Sequence, residues 1–535
     1  MKKIFLLLSF ALFMVAAYAQ QGRYLEPVFS DVEVNTQYYG ANATILTVFD
    51  TNYREALRVP LEADIYTPTG DTETNRPLVI YLHTGDFLPI GVNQGVTGTT
   101  RDSSAVEICT RLAKMGYVAA SADYRLGWNP AAQTQPLRAL GLIQAAYRGI
   151  QDARTAIRYF KYTAANGNPY GIDTTKIVLW GQGTGGYISL ATATLDEFVE
   201  ITTTTNPPGK FLTDLDGNPG TLEPMVIPAW FGDIEGKTYG VLPIPFGAIP
   251  AGDTLCYPNW VNQTSDFAMC VNMGGALADI SWLEAGDVPM VSYHVPNDQF
   301  APYEDAVLVV PGTNDPIVQV QGSKLIQETL ANLGNNQVIV DAAINDEYTA
   351  AAMANSALTG HPYYDGLYPL VRPLNALGRS ESAPWEWWDA AYWSTIPHPI
   401  DPTGNTSFHQ VASAGLLNMS KANANIYIDT IIGYYAPRAY AALNLTTAVE
   451  DLISVDDVEL TTAPNPATDR VNIQTADSYP VQDLYIYDMN GKYITGQFGL
   501  NSSSFNLYRG TLPKGMYVVK LRFKEGVVAT KLLFH

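Results

Sequence analysis

Hydrophobic residues in this chain fall either in short unbroken runs or in longer stretches with helical spacing. Pro77–Leu82, Tyr117–Ala122, Ile177–Trp180 and Pro289–His294 are runs of β-branched, aromatic and small apolar residues, as expected of strands buried on both faces. Between them, Ser104–Met115, Leu137–Ala164, Tyr187–Thr192 and Ser323–Leu333 repeat apolar residues at helical intervals and predict helices. Strands alternating with helices of this length predict an α/β fold, a doubly wound, mostly parallel sheet covered on both sides. Leu61–Tyr66, preceded by an edge strand over Thr44–Phe49, opens the sheet; a strand over Gln337–Val340 and a helix over Ile426–Leu443 close it. Leu195 to Ala268 is rich in Pro, Gly and Thr and reads as a cap-like insertion above the sheet. From about Val455 the pattern changes to short alternating strands separated by turn signals such as Asn490-Gly491 and Lys514-Gly515. That pattern predicts a small C-terminal antiparallel β-sandwich.

Length and the two ends refine this division. A chain of 535 residues exceeds what one hydrophobic core supports, and 47% hydrophobic with 11% aromatic residues argues for folded domains. Lys2 and Lys3 precede the apolar run Ile4–Ala16, and Ala17-Tyr18-Ala19 fits the small-x-small rule for signal-peptide cleavage. The expected organisation is a signal peptide over 1–19, an α/β domain over 20–445 with its insertion at about 195–268, a linker over 446–458 and a β-domain over 459–535. No later segment reaches the ~20 apolar residues of a membrane span. A net charge of −21 makes nucleic acid an unsuitable partner. Cys256 and Cys270 lie in one loop-rich segment and are candidates to pair in an oxidising compartment, whereas Cys109 sits at helical spacing among apolar residues as a small buried hydrophobe.

The chemistry centres on Lys176–Gly186, K-I-V-L-W-G-Q-G-T-G-G: a strand, a sharp glycine-rich turn and a helix. The turn matches the nucleophile elbow G-x-S-x-G, in which a strained turn lifts a serine above the sheet and the next backbone N–H points at a developing oxyanion. Gly183 occupies the serine position. Glycine tolerates the backbone of such a turn and has no atom able to attack a carbonyl.

Together with the strand pattern, this elbow makes the stretch from about Leu61 to Leu443 resemble the α/β-hydrolase superfamily, nearest its carboxylesterase and lipase branches. Tyr81-Leu82-His83-Thr84-Gly85-Asp86-Phe87 is similar to the HGGG-type oxyanion loop with Thr84 and Asp86 in place of two glycines, and Asp123-Tyr124-Arg125-Leu126 matches the D-Y-R-L that follows the next strand. The resemblance implies roles for single residues. Asp298, in His294-Val295-Pro296-Asn297-Asp298, falls at the triad acid, with a turn or helix cap as its plain alternative. His361, after a glycine beyond the last predicted strand, is the candidate base, with His398 and His409 as rivals. The oxyanion donors would be the N–H of Thr84 or Gly85 and that of Thr184.

The C-terminal segments Ala463-Pro464-Asn465-Pro466-Ala467, Tyr487-Asp488-Met489-Asn490-Gly491-Lys492 and Leu512–Lys520, ending in Lys531-Leu532-Leu533, resemble the Por sorting domain of the type IX secretion system of Bacteroidota. This implies export across the outer membrane, the secretion machinery as a partner, and release or surface attachment. Three functions follow as expectations: an impaired esterase relative that binds a small ester, acid or glycan-linked ligand; an active esterase using an atypical nucleophile or activated water; and a surface carbohydrate-binding or adhesion protein. The last draws on Trp385, Trp387, Trp388 and Trp393, although tryptophans this dense more often pack a lid or domain face. Asp214-Leu215-Asp216-Gly217-Asn218 is similar to part of a calcium loop without its closing glutamate and reads as a hairpin turn. No metal or cofactor is expected.

Overall fold

The computed structural model describes residues 22–215, 220–310, 314–374, 380–445, 454–487, 493–497, 499–510, 512–523 and 526–535. The expected signal peptide lies outside the described residues. The chain divides into two compact units, Met1–Leu445 and Thr446–His535.

The first unit is built on an eight-stranded sheet: β1 (Val32–Thr44), β2 (Leu57–Pro68), β3 (Arg76–Leu82), β4 (Val118–Ala122), β5 (Ile172–Gln182), β6 (Met269–Met273), β7 (Met290–His294) and β8 (Leu367–Pro369). Their order is β1-β2-β4-β3-β5-β6-β7-β8. The pairs β1/β2 and β2/β4 are antiparallel, and every later pair is parallel. The chain therefore crosses over between β3 and β4, and loops leaving the carboxyl ends of β3 and β5 meet above the sheet, where such folds bind ligands.

The runs seen in the sequence are strands buried on both faces. Leu78, Ile80 and Leu82 of β3 and Ile177 and Leu179 of β5 point into one core, against Ala145, Ile150 and Ile157 of α2 (Gln135–Ala165) and Ile188 and Leu190 of α3 (Thr184–Thr194). Val79, Tyr81, Val178 and Trp180 point into the other core, against Ile108 and Leu112 of α1 (Ser103–Lys114) and Ile428, Ile431 and Tyr435 of α5 (Lys421–Ala442). A further helix, α4 (Ser323–Leu333), carries Ile326 and Leu330 into the first core. Each fully buried side chain of this size contributes roughly 1.5–3 kcal/mol, so the two-sided cover holds the elbow strand firmly in register.

Three expectations are corrected. The edge strand is β1, and Leu46–Phe49 is a 3-10 turn; Glu33–Tyr38 in the first half of β1 are exposed, so the strand carries no continuous apolar signal. Gln337–Asp341 is a short helix in which only Ile339 is buried, because the sheet edge beside β7 belongs to β8. All three cysteines are free and buried, Cys270 inside the sheet on β6, so Cys256 and Cys270 do not pair. In the insertion, Leu212–Thr213 pairs antiparallel with Glu223–Pro224; part of the expected hairpin turn, 216–219, lies outside the described residues.

The second unit holds two antiparallel sheets, one of Thr461–Ala463, Arg470–Gln474 and Ser504–Tyr508, the other of Asp483–Tyr487, Tyr493–Gln497, Gly515–Arg522 and Val527–Phe534. Val471, Ile473 and Leu507 from the first share a core with Leu484, Ile486, Val519, Leu521 and Leu532 from the second. The turn at Asn490-Gly491 lies outside the described residues.

Candidate functional site

At the end of β5 the chain turns through Gly183 with φ 55° and ψ −117°, a backbone open to glycine and costly for other residues. The Gly183 N–H donates to Met273 O at 2.8 Å, and the Gly185 N–H donates to His83 O at 3.1 Å, so the elbow is bonded to β6 and to the loop after β3. Thr184 opens α3, and its N–H is one of the four donors left without an intrahelical acceptor.

The loop after β3 is fastened from below. His83, 2% exposed, lies with Nδ1 2.5 Å from Thr84 O and Nε2 3.2 Å from Asp123 Oδ1. Both partners are acceptors. Burial opposes charge on the imidazole, but the hydrogen bond and charge of Asp123 outweigh it and raise its pKa. Tyr124 stacks on His83 at 4.5 Å, donates its hydroxyl to His83 O at 2.9 Å and meets Thr184 Oγ1 at 3.0 Å. Arg125 makes a fully buried ion pair with Asp152 of α2 at 2.8 Å. The D-Y-R-L residues thus act as fasteners for the elbow and its facing loop. Gly85 has φ 125° and passes so close to Gly98 that a Cβ would lie 2.7 Å from the Gly98 Cα.

Asp298 follows β7. Its Oδ1 accepts the N–H of Phe300 at 2.7 Å and that of Ala301 at 3.4 Å, and burial pushes its carboxyl up to about 7. A Cβ on Gly274, just beyond β6, would lie 3.7 Å from both Asp298 Oδ2 and the Trp385 ring, which brings the acid to the elbow's flank. The structure does not bring His361 to it. His361 Nε2 lies 3.2 Å from Glu304 Oε1; His398 Nε2 donates to Gln94 O at 3.0 Å, and His409 Nδ1 accepts the Trp388 indole N–H at 3.1 Å. His294 is buried against Ser323 and Ala301. None of these histidines, nor His83, is hydrogen-bonded to Asp298 among the described residues.

A carboxylate fills part of that neighbourhood instead. Glu386, in the tryptophan-rich segment, accepts the Gln182 amide at 2.5 Å, one residue before Gly183. Burial, then the charges of Asp102, Asp86 and Asp298, push Glu386 up to about 8, and burial pushes Asp86 up to about 6. The Tyr187 hydroxyl, sealed from water and without a partner, has its pKa raised by burial and then by Asp298 and Asp86. Glu386 was not legible beforehand, since only the tertiary fold carries its segment to the elbow. Trp385 and Trp388 are 1% and 8% exposed and Trp387 and Trp393 pack against cores, so these rings fill the domain rather than offer a stacking surface. No cluster of three or more metal-ligating side chains occurs among the described residues.

With this geometry in place, two families match. Residues 63–213 match the family BD-FAE, and residues 462–535 match the secretion system C-terminal sorting domain. Residues 63–213 are thus matched to an esterase-like α/β-hydrolase domain and residues 462–535 to a Por sorting domain. The first match spans the loop after β3, the D-Y-R-L residues and the elbow, and ends before Asp298 and His361. None of the curated proteins matches the chain. Among solved structures it is similar to Thermogutta terrifontis esterase 2 phosphorylated by paraoxon, with 16% identity and a TM-score of 0.27 over 50% of this chain and 73% of that one. It is likewise similar to the propionate-bound esterase from the same species, with 15% identity and a TM-score of 0.27 over 50% of this chain and 74% of that one. The sorting tail directs the protein through type IX secretion to the cell surface or beyond it. No helix among the described residues is long and apolar enough to cross a membrane.

Proposed function

We propose that the hydrolase unit, taken as 20–445 behind a cleaved leader and ahead of the linker 446–458 and the sorting domain 459–535, is an exported esterase relative that binds a small ester without turning it over as a serine esterase does. The observation that carries this is Gly183, a residue with no hydroxyl at the apex of a fully formed elbow. The separation of His361 from Asp298 supports it, because a base must lie within hydrogen-bond reach of its partners to serve. Asp298, Thr84, Gly85 and Thr184 are assigned to holding the ligand, with the Thr184 N–H on its carbonyl oxygen. The carboxyl groups of Asp86, Asp298 and Glu386 disfavour a free acid and favour an uncharged ester.

The test is p-nitrophenyl acetate hydrolysis by the mature full-length chain. The expected trace has no burst of p-nitrophenolate, and its slow steady rate is unchanged by His361→Ala. A burst equal to the protein concentration, or a rate that collapses in His361→Ala, means that the site is a working esterase.

A further inference from the structure

Gly183 and Thr84 compete for one volume. A Cβ on Gly183 would lie inside van der Waals contact with the Thr84 hydroxyl oxygen, 2.9 Å from Thr84 Cβ and 3.6 Å from its Cα. Carbon atoms rest at about 3.5–4.0 Å. Turning Thr84 about χ1 moves its hydroxyl and methyl groups but leaves Cβ where it is, so no rotamer removes the overlap.

Neither side is free to retreat. The loop is pinned where Gly85 abuts Gly98, where His83 O accepts both the Gly185 N–H and the Tyr124 hydroxyl, and where His83 Nδ1 holds Thr84 O. The elbow is pinned by the Gly183 N–H on Met273 O. On its other side, Gly185 lies so close to β3 that a Cβ there would overlap Leu82 O.

We propose that Thr84 has taken the nucleophile's place: its side chain fills the space above the elbow, and residue 183 is held to glycine for as long as residue 84 is threonine. The proposal rests on reading Gly183 as the nucleophile position. It makes the missing serine a two-residue change. Restoring serine at 183 alone forces an overlap, whereas glycine at 84 opens the space. The hydroxyl of Thr84, a partly exposed residue, then becomes the side-chain hydroxyl that a ligand meets at the apex, where a serine hydroxyl would otherwise stand.

The experiment is a double-mutant cycle of Gly183→Ala and Thr84→Gly in the mature full-length chain, read by thermal unfolding. Thr84→Val is a third background that keeps Cβ and removes the hydroxyl. Gly183→Ala is expected to lower the midpoint by several degrees in the native and Thr84→Val backgrounds, and by less than half as much in the Thr84→Gly background. The residual penalty there comes from the positive φ alone. Equal penalties in all three backgrounds overturn the proposal. Should Gly183→Ala yield no folded protein, recovery of secreted, soluble Thr84→Gly/Gly183→Ala protein supports the proposal, and failure to recover it overturns it. Ester turnover by the unaltered chain would sink the silent-site reading and leave this cycle intact; an additive cycle would do the reverse.

Discussion

The side-chain amide of Gln182 donates a 2.5 Å hydrogen bond to Glu386, joining the last residue of the elbow strand to a segment two hundred positions further along the chain. Gln182 in turn accepts from the Tyr81 hydroxyl and from Ser104 Oγ, so Glu386 ends a polar chain that starts beneath the sheet's carboxyl edge. Such a network holds its members in place only while each is satisfied.

That placement sets a pH dependence. Burial pushes the carboxyl of Glu386 up to about 8, that of Asp298 up to about 7 and that of Asp86 up to about 6. Above an unfolded carboxyl pKa of roughly 4, the folded state keeps protons that the unfolded chain has released, so stability falls as pH rises through these values. The Glu386→Gln variant is expected to hold a flatter melting temperature from about pH 4 to pH 8, because the amide keeps a Gln182 contact and carries no charge. An unchanged slope in that variant would place the titration on another group.

Arg125 and Asp152 give a second expectation. The pair is fully buried, and Arg125 also donates to Leu255 O at 2.9 Å and to Gln151 Oε1 at 2.8 Å. Removing one partner leaves an uncompensated charge, at a cost of about 3–5 kcal/mol, whereas replacing both with apolar side chains costs much less. Urea unfolding of Asp152→Ala is expected to show the large loss, and Arg125→Met/Asp152→Leu a smaller one. If the double variant loses as much as the single, the arginine's bonds to backbone carbonyls, not the ion pair, hold this joint.

The sheet was legible because its central strands are buried on both faces, and such strands appear in sequence as unbroken apolar runs. The elbow was legible because a turn through φ 55° beside close-packed backbones leaves a glycine signature. β1 gave only a mixed signal, so the edge strand was placed late at Thr44–Phe49, because Glu33–Tyr38 face solvent, and Gln337–Asp341 misled because a β-branched run takes strand form only where a sheet edge is free. Positions beside the elbow were readable only where they follow a strand end, as Asp298 follows β7, whereas Glu386 reaches the elbow through a long-range contact that no local pattern encodes. The Thr84–Gly183 overlap was visible as two departures from one motif, but their coupling needs coordinates.

His294 and His361 should separate cleanly in experiment. His361 is partly exposed, and its partner Glu304 more so; a pair of this kind is worth about 0–1 kcal/mol, so His361→Ala should barely move the melting temperature. His294 is fully buried, accepts from Ser323 Oγ at 2.7 Å and donates to Ala301 O at 3.1 Å; burial holds its imidazole neutral, with a pKa lowered to about 4. Below an unfolded pKa of roughly 6.5 the unfolded chain takes up a proton that the folded state refuses, so stability falls as pH drops towards 4, by about 1.4 kcal/mol for each unit of pKa difference. His294→Gln, which keeps a donor and an acceptor, should weaken this acid limb at a modest cost in stability, and His294→Ala should add roughly 1–3 kcal/mol for the orphaned Ser323 and Ala301 groups. Melting curves recorded between about pH 4 and pH 7 decide the matter: an acid limb that survives intact in His294→Gln would mean that another group carries the proton.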